Sequence, residues 1–423
     1  MTPSEILATS PLDLAPYEDL YRHFHAHPDL SKQEKATSET AAGHLARLDA
    51  FEIHTHIGGY GFVGILRNGP GKTVLLRADM DALPVQEVTG LPYASKTTQE
   101  RGIGSGDVKP VMHACGHDMH ITCLLAAAET LVRLRHAWSG TLLVLFQPDE
   151  ERGEGAQAMV DDGLYGKHNI PVPDYAFGQH VMRLRAGTVG IRPGTIMAAA
   201  DSMKIKLYGR GGHGSLPHQT VDPVLLAANV VTRLQGIVSR EVNPSESAVV
   251  TVGSLHAGEA ENVIPDEAEL GIDFRSGNLE TRQQILSAIE RVVEAECVAS
   301  GSPRKPLFTH TRRFPPTIND TSVTAKLAVS FHEHFKDHFD PDTPRTNVAE
   351  DFSTLATCQA RPSAFWFFGG IDTAQWDEAV RTDSLDEIPG NHSARFAPAI
   401  QPTMRTGVDA LCIAALTFLT GGE

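Results

Sequence analysis

The chain has 423 residues, 41% of them hydrophobic and 21% charged, the mix of a globular protein rather than a disordered one. One core rarely grows to that length, so two domains are expected. The formal net charge of −16 argues against nucleic acid or an anionic membrane surface as partner, and no window approaches the roughly 18 uninterrupted apolar residues of a membrane span. Residues 1–16 show neither a basic start nor an apolar core, so no export signal is expected. The five cysteines (Cys115, Cys123, Cys297, Cys358 and Cys412) are odd in number and scattered, which fits reduced thiols in a cytoplasm.

Pro16 is expected to open a helix with Tyr17, Leu20, Tyr21 and Phe24 on one buried stripe. It runs into His23, His25 and His27, which fall on different faces and read as surface or core-edge residues rather than a metal set. Ser31 and Glu34 have the spacing of a capping box for a second helix reaching Leu48. Strands are expected at 51–57 and 62–66, and an interior one at 73–78. That strand ends in Arg77-Ala-Asp79-Met-Asp81-Ala-Leu-Pro84, where α/β enzymes carry their sites.

Residues 112–120 read Met-His-Ala-Cys-Gly-His-Asp-Met-His, so His113, Cys115, His117, Asp118 and His120 fall within nine positions. Thiolate, imidazole and carboxylate are the side chains that hold zinc and its neighbours. The alternative is a polar loop capping the apolar helix expected at 124–134. A second interior strand, 141–146, ends in Gln147-Pro-Asp149-Glu150-Glu151. Adjacent carboxylates repel unless a cation or protons compensate them, the alternative being a solvated acidic turn or helix N-terminus. A third strand, 175–177, ends in Gly178-Gln-His180. Three successive strand ends therefore offer Asp81, Glu150/Glu151 and His180.

After Pro193 the character changes. A half-buried strand at 203–208 leads into the glycine-rich loop Gly209-Arg-Gly-Gly-His213-Gly-Ser-Leu-Pro217-His218. Asp222 is expected to cap, and Pro223 to open, a helix to about Ser239. Strands at 248–253 and 268–274 and a helix at 279–299 complete a two-layer α+β unit. From 307 the chain resumes with a helix at 323–339, a strand at 364–368 and a closing helix at 403–419. The loop before that helix holds Gly390-Asn391-His392-Ser393. The fold class expected is α/β: a mixed central sheet flanked by helices (1–192 and 307–423), interrupted by an inserted two-layer domain (193–306).

The ordered series Arg-Ala-Asp-Met-Asp-Ala-Leu-Pro, His-Ala-Cys-Gly-His-Asp, Gln-Pro-x-Glu-Glu, Gly-x-His, Gly-Gly-His-Gly-Ser-x-Pro-His, Asn-Val-Ile-Pro, Glu-Asp-Phe and a late His-Ser spans nearly the whole chain. It resembles the amidohydrolase branch of the aminoacylase and carboxypeptidase G metallopeptidase family. That branch includes hippurate hydrolase, N-acyl-amino-acid amidohydrolases and the plant auxin-conjugate hydrolases. The resemblance implies a zinc-peptidase-like catalytic domain whose insert serves for dimerisation or as a lid. It implies two divalent ions per subunit, with zinc first and manganese, cobalt or nickel as alternatives, held by Cys115, His117, Glu151, His180 and His392. Glu150 is then the general base, and Asp81 supports a ligand. His213 corresponds to a histidine that reaches a neighbouring subunit's site to stabilise the oxyanion, although on its own it reads as a turn histidine. Asn262 and Arg275 correspond to residues that hold the substrate carboxylate. Asp118 and His120 are left as supporting or capping residues.

Four positions depart from the pattern: Asp149, Asp273 and Phe274, where small or aliphatic residues are usual, and Ala394, where proline is common. The activity implied is hydrolysis of N-acyl-amino acids by a homodimer or homotetramer. The alternatives are a dipeptidase or aminopeptidase of the same family, a binding protein on the same scaffold, and a thiol redox protein using Cys115.

Overall fold

The computed structural model describes residues 1–102 and 104–420, which form two compact units. The first comprises Met1–Ile196, Ile318–Pro344 and the chain from Asp351 on; the second comprises Met197–Thr317 with Arg345–Glu350.

An eight-stranded mixed sheet forms the backbone of the first unit. Its centre is parallel: Thr73–Asp79 lies between Gly140–Gln147 and Tyr175–Arg185, and Ser363–Ile371 pairs beyond the last of these. The continuous apolar runs Val74–Leu76, Leu142–Phe146 and Ala364–Phe368 are buried on both faces, as a parallel sheet covered by helices requires. Glu52–Ile57 and Gly61–Asn68 add an antiparallel edge. The interior strands lie where the apolar runs predict. The strand expected at 175–177 instead continues to Arg185, because pairing with Ser363–Ile371 carries on past His180. His180 therefore sits inside a strand rather than beyond its end.

The helix His117–Arg133 is buried along almost its whole length and packs against the equally apolar Thr403–Leu419. A helix apolar on all sides belongs in an interior. Its start lies seven residues before the expected one, so His117 opens the helix. The preceding Gly116 has φ +83°, and a Cβ there would lie 2.4 Å from Val181 Cγ1. Only glycine fits both demands.

Two local expectations give way to tertiary contacts. Lys35–Ala46 forms the second helix, but Ser31 and Glu34 do not build a capping box. Ser31 Oγ donates to Asp81 Oδ2 (2.7 Å), and Glu34 Oε1 accepts from the backbone N–H groups of Lys32 and Asp149 (2.8 Å each). Both side chains serve the strand ends rather than the helix. The three early histidines also do not all face apart. The His23 and His27 rings lie 4.6 Å from each other on an exposed face, whereas His25 is fully buried. One helical turn separates the outer pair, and that spacing aligns them.

His25 Nδ1 lies 2.6 Å from Asp118 Oδ2, and Nε2 lies 3.0 Å from Glu87 Oε1. Burial alone would lower the His25 pKa, but the two carboxylates reverse this and raise it to about 9. An unfolded histidine titrates near ~6.5, so the folded state binds this proton more tightly. The stabilisation is complete below about pH 6.5 and is lost as pH rises through about 9, with a slope on the order of 1.4 kcal/mol per pH unit inside that window. Thermal melts between pH 7 and 10 should show an alkaline fall in stability that His25→Asn makes shallower. Equal slopes would remove the buried ion pair from the account.

The second unit has a four-stranded antiparallel sheet in the order Ala248–Ala257, Glu267–Ser276, Ala199–Tyr208, Leu307–Phe314. The helices Pro223–Arg240, capped by Asp222, and Leu279–Ala299, capped by Asn278, cover one face. Met203, Ile205 and Leu207 alternate inward with Leu270, Ile272 and Phe274 against Leu226, Val230, Ile285 and Ile289. Leu307–Phe314 belongs to this sheet, so the unit runs past position 306 to Thr317. That strand is exposed along most of its length and offers little of the alternation that reveals a half-buried strand.

Candidate metal centre

The three neighbouring parallel strands of the first unit deliver their chemistry to one end of the sheet, as open α/β sheets do. Thr73–Asp79 leads into Asp81; Gly140–Gln147 leads through Pro148 and Asp149 into Glu150 and Glu151; Tyr175–Arg185 carries His180. The turn before the helix His117–Arg133 adds Cys115 and His117, and the late loop adds His392.

Cys115 Sγ lies 3.4 Å from His180 Nε2. His117 Nε2 is 3.9 Å from both Glu150 Oε2 and Glu151 Oε1, and His392 Nε2 is 3.4 Å from Glu151 Oε1. The donor atoms of Cys115, His117 and His180 lie within 4.8 Å of one another, and so do those of Cys115, Glu151 and His392. The two triads share Cys115. All five residues expected as ligands are thus together, in a set of thiol, imidazole and carboxylate suited to a borderline cation.

The charges around these donors call for a cation. Burial opposes a charge on His117, but Asp79, Asp81 and Glu151 override it and pull its pKa up to about 10. Burial, with Glu151 and Glu150 adding to it, pushes the Cys115 thiol well above the ordinary range. Burial, with the His120 imidazole adding to it, holds His180 well below the usual imidazole range, hence neutral. Its Nδ1 donates to the Val181 carbonyl (2.8 Å), which leaves the Nε2 lone pair for a ligand. His117 Nε2 and Glu151 Oε1 are buried without a hydrogen-bond partner. A divalent ion would replace the protons on His117 and Cys115 and use both orphaned atoms.

Around the donors lies a supporting layer. Asp81 Oδ2 accepts from Ser31 Oγ and from the Glu151 backbone N–H (3.0 Å), while its Oδ1 lies 3.3 Å from His117 Nδ1. It therefore touches both a histidine and a glutamate of the cluster. Burial would raise the Asp81 pKa, but His117, Ser31 and the Glu151 amide outweigh it and keep the carboxylate ionised. His120 is no ligand candidate with a lone pair to spare. Its Nδ1 lies 2.6 Å from Asp79 Oδ1, and its Nε2 accepts the Val181 N–H at 2.8 Å. Asp79 Oδ2 in turn accepts from Arg77 Nη1 (2.6 Å), and Arg77 Nε donates to Gln147. Asp118 turns away from the donors to His25. His113 is buried and, chiefly through burial, is lowered to about 4.

In the second unit His213 is exposed and pairs with Val263 across a short ladder. Its Nδ1 accepts the Ser215 N–H (3.1 Å), so the neutral ring carries its proton on Nε2. The exposed Asn262 is a neighbour, its carbonyl accepting from Gly214 N at 2.8 Å. Arg275 is not: it pairs with Ala200, whereas Tyr208, just before the His213 loop, pairs with Glu267 at the opposite end of the same strands. Eight residues of strand separate the two ends, roughly 25 Å. Arg275 Nε also donates to Asp273 Oδ1 (3.0 Å), so part of its fork is engaged within the unit.

Fold and donor set match those of a family of metal-dependent hydrolases, with two candidate metal positions sharing Cys115. A family model, Peptidase family M20/M25/M40, matches residues 75–389, and the chain belongs to that family. It is 42% identical over 269 residues to the hippurate hydrolase of Campylobacter jejuni, covering 63% of this chain and 66% of that one. It is 35% identical over 390 residues to the N-acetyl-L-cysteine deacetylase of Bacillus subtilis, covering 90% and 86%. Among solved structures, it is similar to the Bacillus subtilis YXEP protein, described as a dinuclear metal-binding peptidase, with TM-score 0.73, 25% identity and 96% and 98% of the two chains covered.

Proposed function

We propose that this enzyme hydrolyses the amide bond of N-acyl-amino acids of the hippurate and N-acetyl type, releasing a carboxylate and a free amino acid. The observation that carries the reading is the pair of donor triads sharing Cys115, with Glu150 beside them. Cys115, His117, Glu151, His180 and His392 would hold two divalent ions, with zinc best suited to the sulfur and imidazole set and manganese, cobalt or nickel as alternatives. Such ions polarise a scissile carbonyl and make water more acidic. Adjacent glutamates on a turn cannot aim at the same point, which supports a division of labour. Glu151 binds, and Glu150 accepts a proton from the attacking water and passes it to the leaving amine.

His213, as the Nε2–H tautomer, would donate to the developing oxyanion. Its separation from Arg275 within one copy, with Asn262 beside it, supports His213 and Asn262 reaching the site of a neighbouring copy in a homodimer or homotetramer, where they would meet that copy's Arg275 around the substrate, Arg275 and Asn262 holding its carboxylate. The net charge and the scattered thiols agree with a cytoplasmic enzyme, and no helix among the described residues is long and apolar enough to cross a membrane.

The names of the two relatives, a hippurate hydrolase and a deacetylase, favour blocked amino acids over free dipeptides. A panel of N-benzoyl, N-acetyl and longer N-acyl amino acids should be cleaved, and unblocked dipeptides should not. Preference for the dipeptides would replace this reading with a dipeptidase or aminopeptidase.

A further inference from the structure

The late loop does more than contribute His392. His392 has φ +69°, in the left-handed region that a side chain rarely adopts. Such a conformation costs on the order of 1–3 kcal/mol and persists only where the surroundings over-determine it. Here they do. The His392 N–H donates to the Ala114 carbonyl at 2.7 Å. One position earlier, Asn391 Nδ2 donates to the Val181 carbonyl (3.0 Å) and to the Cys115 carbonyl (3.2 Å), with Cys115 Sγ 4.0 Å away.

Those two carbonyls belong to segments far apart in the chain. The Cys115 carbonyl fixes the turn that aims the shared thiol. The Val181 carbonyl also accepts His180 Nδ1, so it sets the ring orientation that leaves Nε2 for a ligand. The N–H of the same residue, in the preceding peptide, is held by His120, which accepts it. A carboxamide has two N–H donors, one for each carbonyl. Aspartate has the same shape and no donor at neutral pH, and alanine has neither.

We propose that Asn391 is a positioning residue for the metal centre. It ties the Cys115 turn, the His180 strand and the left-handed His392 into one preformed set, and so controls how tightly the Cys115/Glu151/His392 triad holds its ion. His392 is the exposed member of that triad, with 57% of its side chain accessible against 9% for Glu151. The left-handed backbone, held at Ala114, sets the direction in which its ring leaves the loop.

The proposal rests on the two-metal reading, and the test separates the two. The metal-depleted full-length enzyme is titrated with cobalt(II), following thiolate-to-cobalt absorption, and the loaded protein is then challenged with a chelator. The wild type should bind two ions. In Asn391→Ala and Asn391→Asp, one ion should be retained while the other is held ~10–100-fold more weakly, the range known for residues that orient metal ligands. The thiolate band should shift or weaken. Asn391→Ser retains one donor and should be intermediate; it carries the same reading should Asn391→Ala fail to fold. A wild type that binds fewer than two ions would overturn the two-metal reading itself. A wild type that binds two, with variants of the same affinity and spectrum, would overturn the role of Asn391 alone.

Discussion

Glu150→Gln is expected to lower kcat by about 10³-fold, within the span typical of a removed general base, with both metal ions still bound. The amide keeps the size of the side chain and its neighbours, including His117 Nε2 at 3.9 Å, but it has no lone pair basic enough to take a proton from water. Glu151 keeps its contact with His392 and its backbone tie to Asp81, so the donor set survives. The two measurements needed are metal content of the purified protein and turnover of an N-acyl-amino acid. KM should change far less than kcat, because the lost interaction develops with the transition state. Retained turnover would sink the assignment of Glu150. Loss of metal along with turnover would make Glu150 a ligand and reopen the division between the two glutamates.

Much of the first unit can be read from its interior strands. Val74–Leu76, Leu142–Phe146 and Ala364–Phe368 are apolar on both faces because helices cover both sides of the sheet, and such runs mark themselves. Leu307–Phe314 is harder to assign, because its side chains mostly face outward and its membership of the second sheet rests on backbone pairing alone. The donors follow the same logic. Cys115, His117, Glu151, His180 and His392 are residue types with few structural uses in such density, and motif order ties them to one site. Their supports are another matter. Ser31 and Glu34 satisfy a local helix-capping pattern, and nothing in their spacing says that they turn toward Asp81 and Asp149. His120 shares a short stretch with the proposed ligands Cys115 and His117 and is set apart from them by having both of its nitrogens engaged. Asn391 gives no signal beyond its place next to His392. Partners fixed by long-range contacts leave no period in a sequence, while ligands chosen for their chemistry do.

Cys115→Ser is expected to bind fewer than two ions and to keep less than about 1% of the wild-type turnover, a larger loss than the ~10–100-fold typical of an outer supporting residue. Cys115 is the one donor common to both triads, so its loss weakens two sites at once. A serine hydroxyl ionises far less readily than a thiol, and it is a harder donor for zinc or cobalt. Proton release offers a second readout. Before metal binds, burial and the neighbouring glutamates keep the Cys115 thiol protonated, and the surrounding carboxylates keep a proton on His117, whose pKa lies at about 10. Binding must displace both, so loading the wild type at pH 7 should release about two protons, and the apparent affinity should rise with pH. Calorimetry in buffers of different ionisation enthalpy counts them. Cys115→Ser should release about one fewer, while replacing the exposed Cys358 should change neither number. If Cys115→Ser binds two ions with the wild-type proton count, the sulfur is not a ligand. The buried thiol would then need another role, and the thiol redox alternative, with Cys123 as its poorly placed partner eight residues along, would have to be reopened.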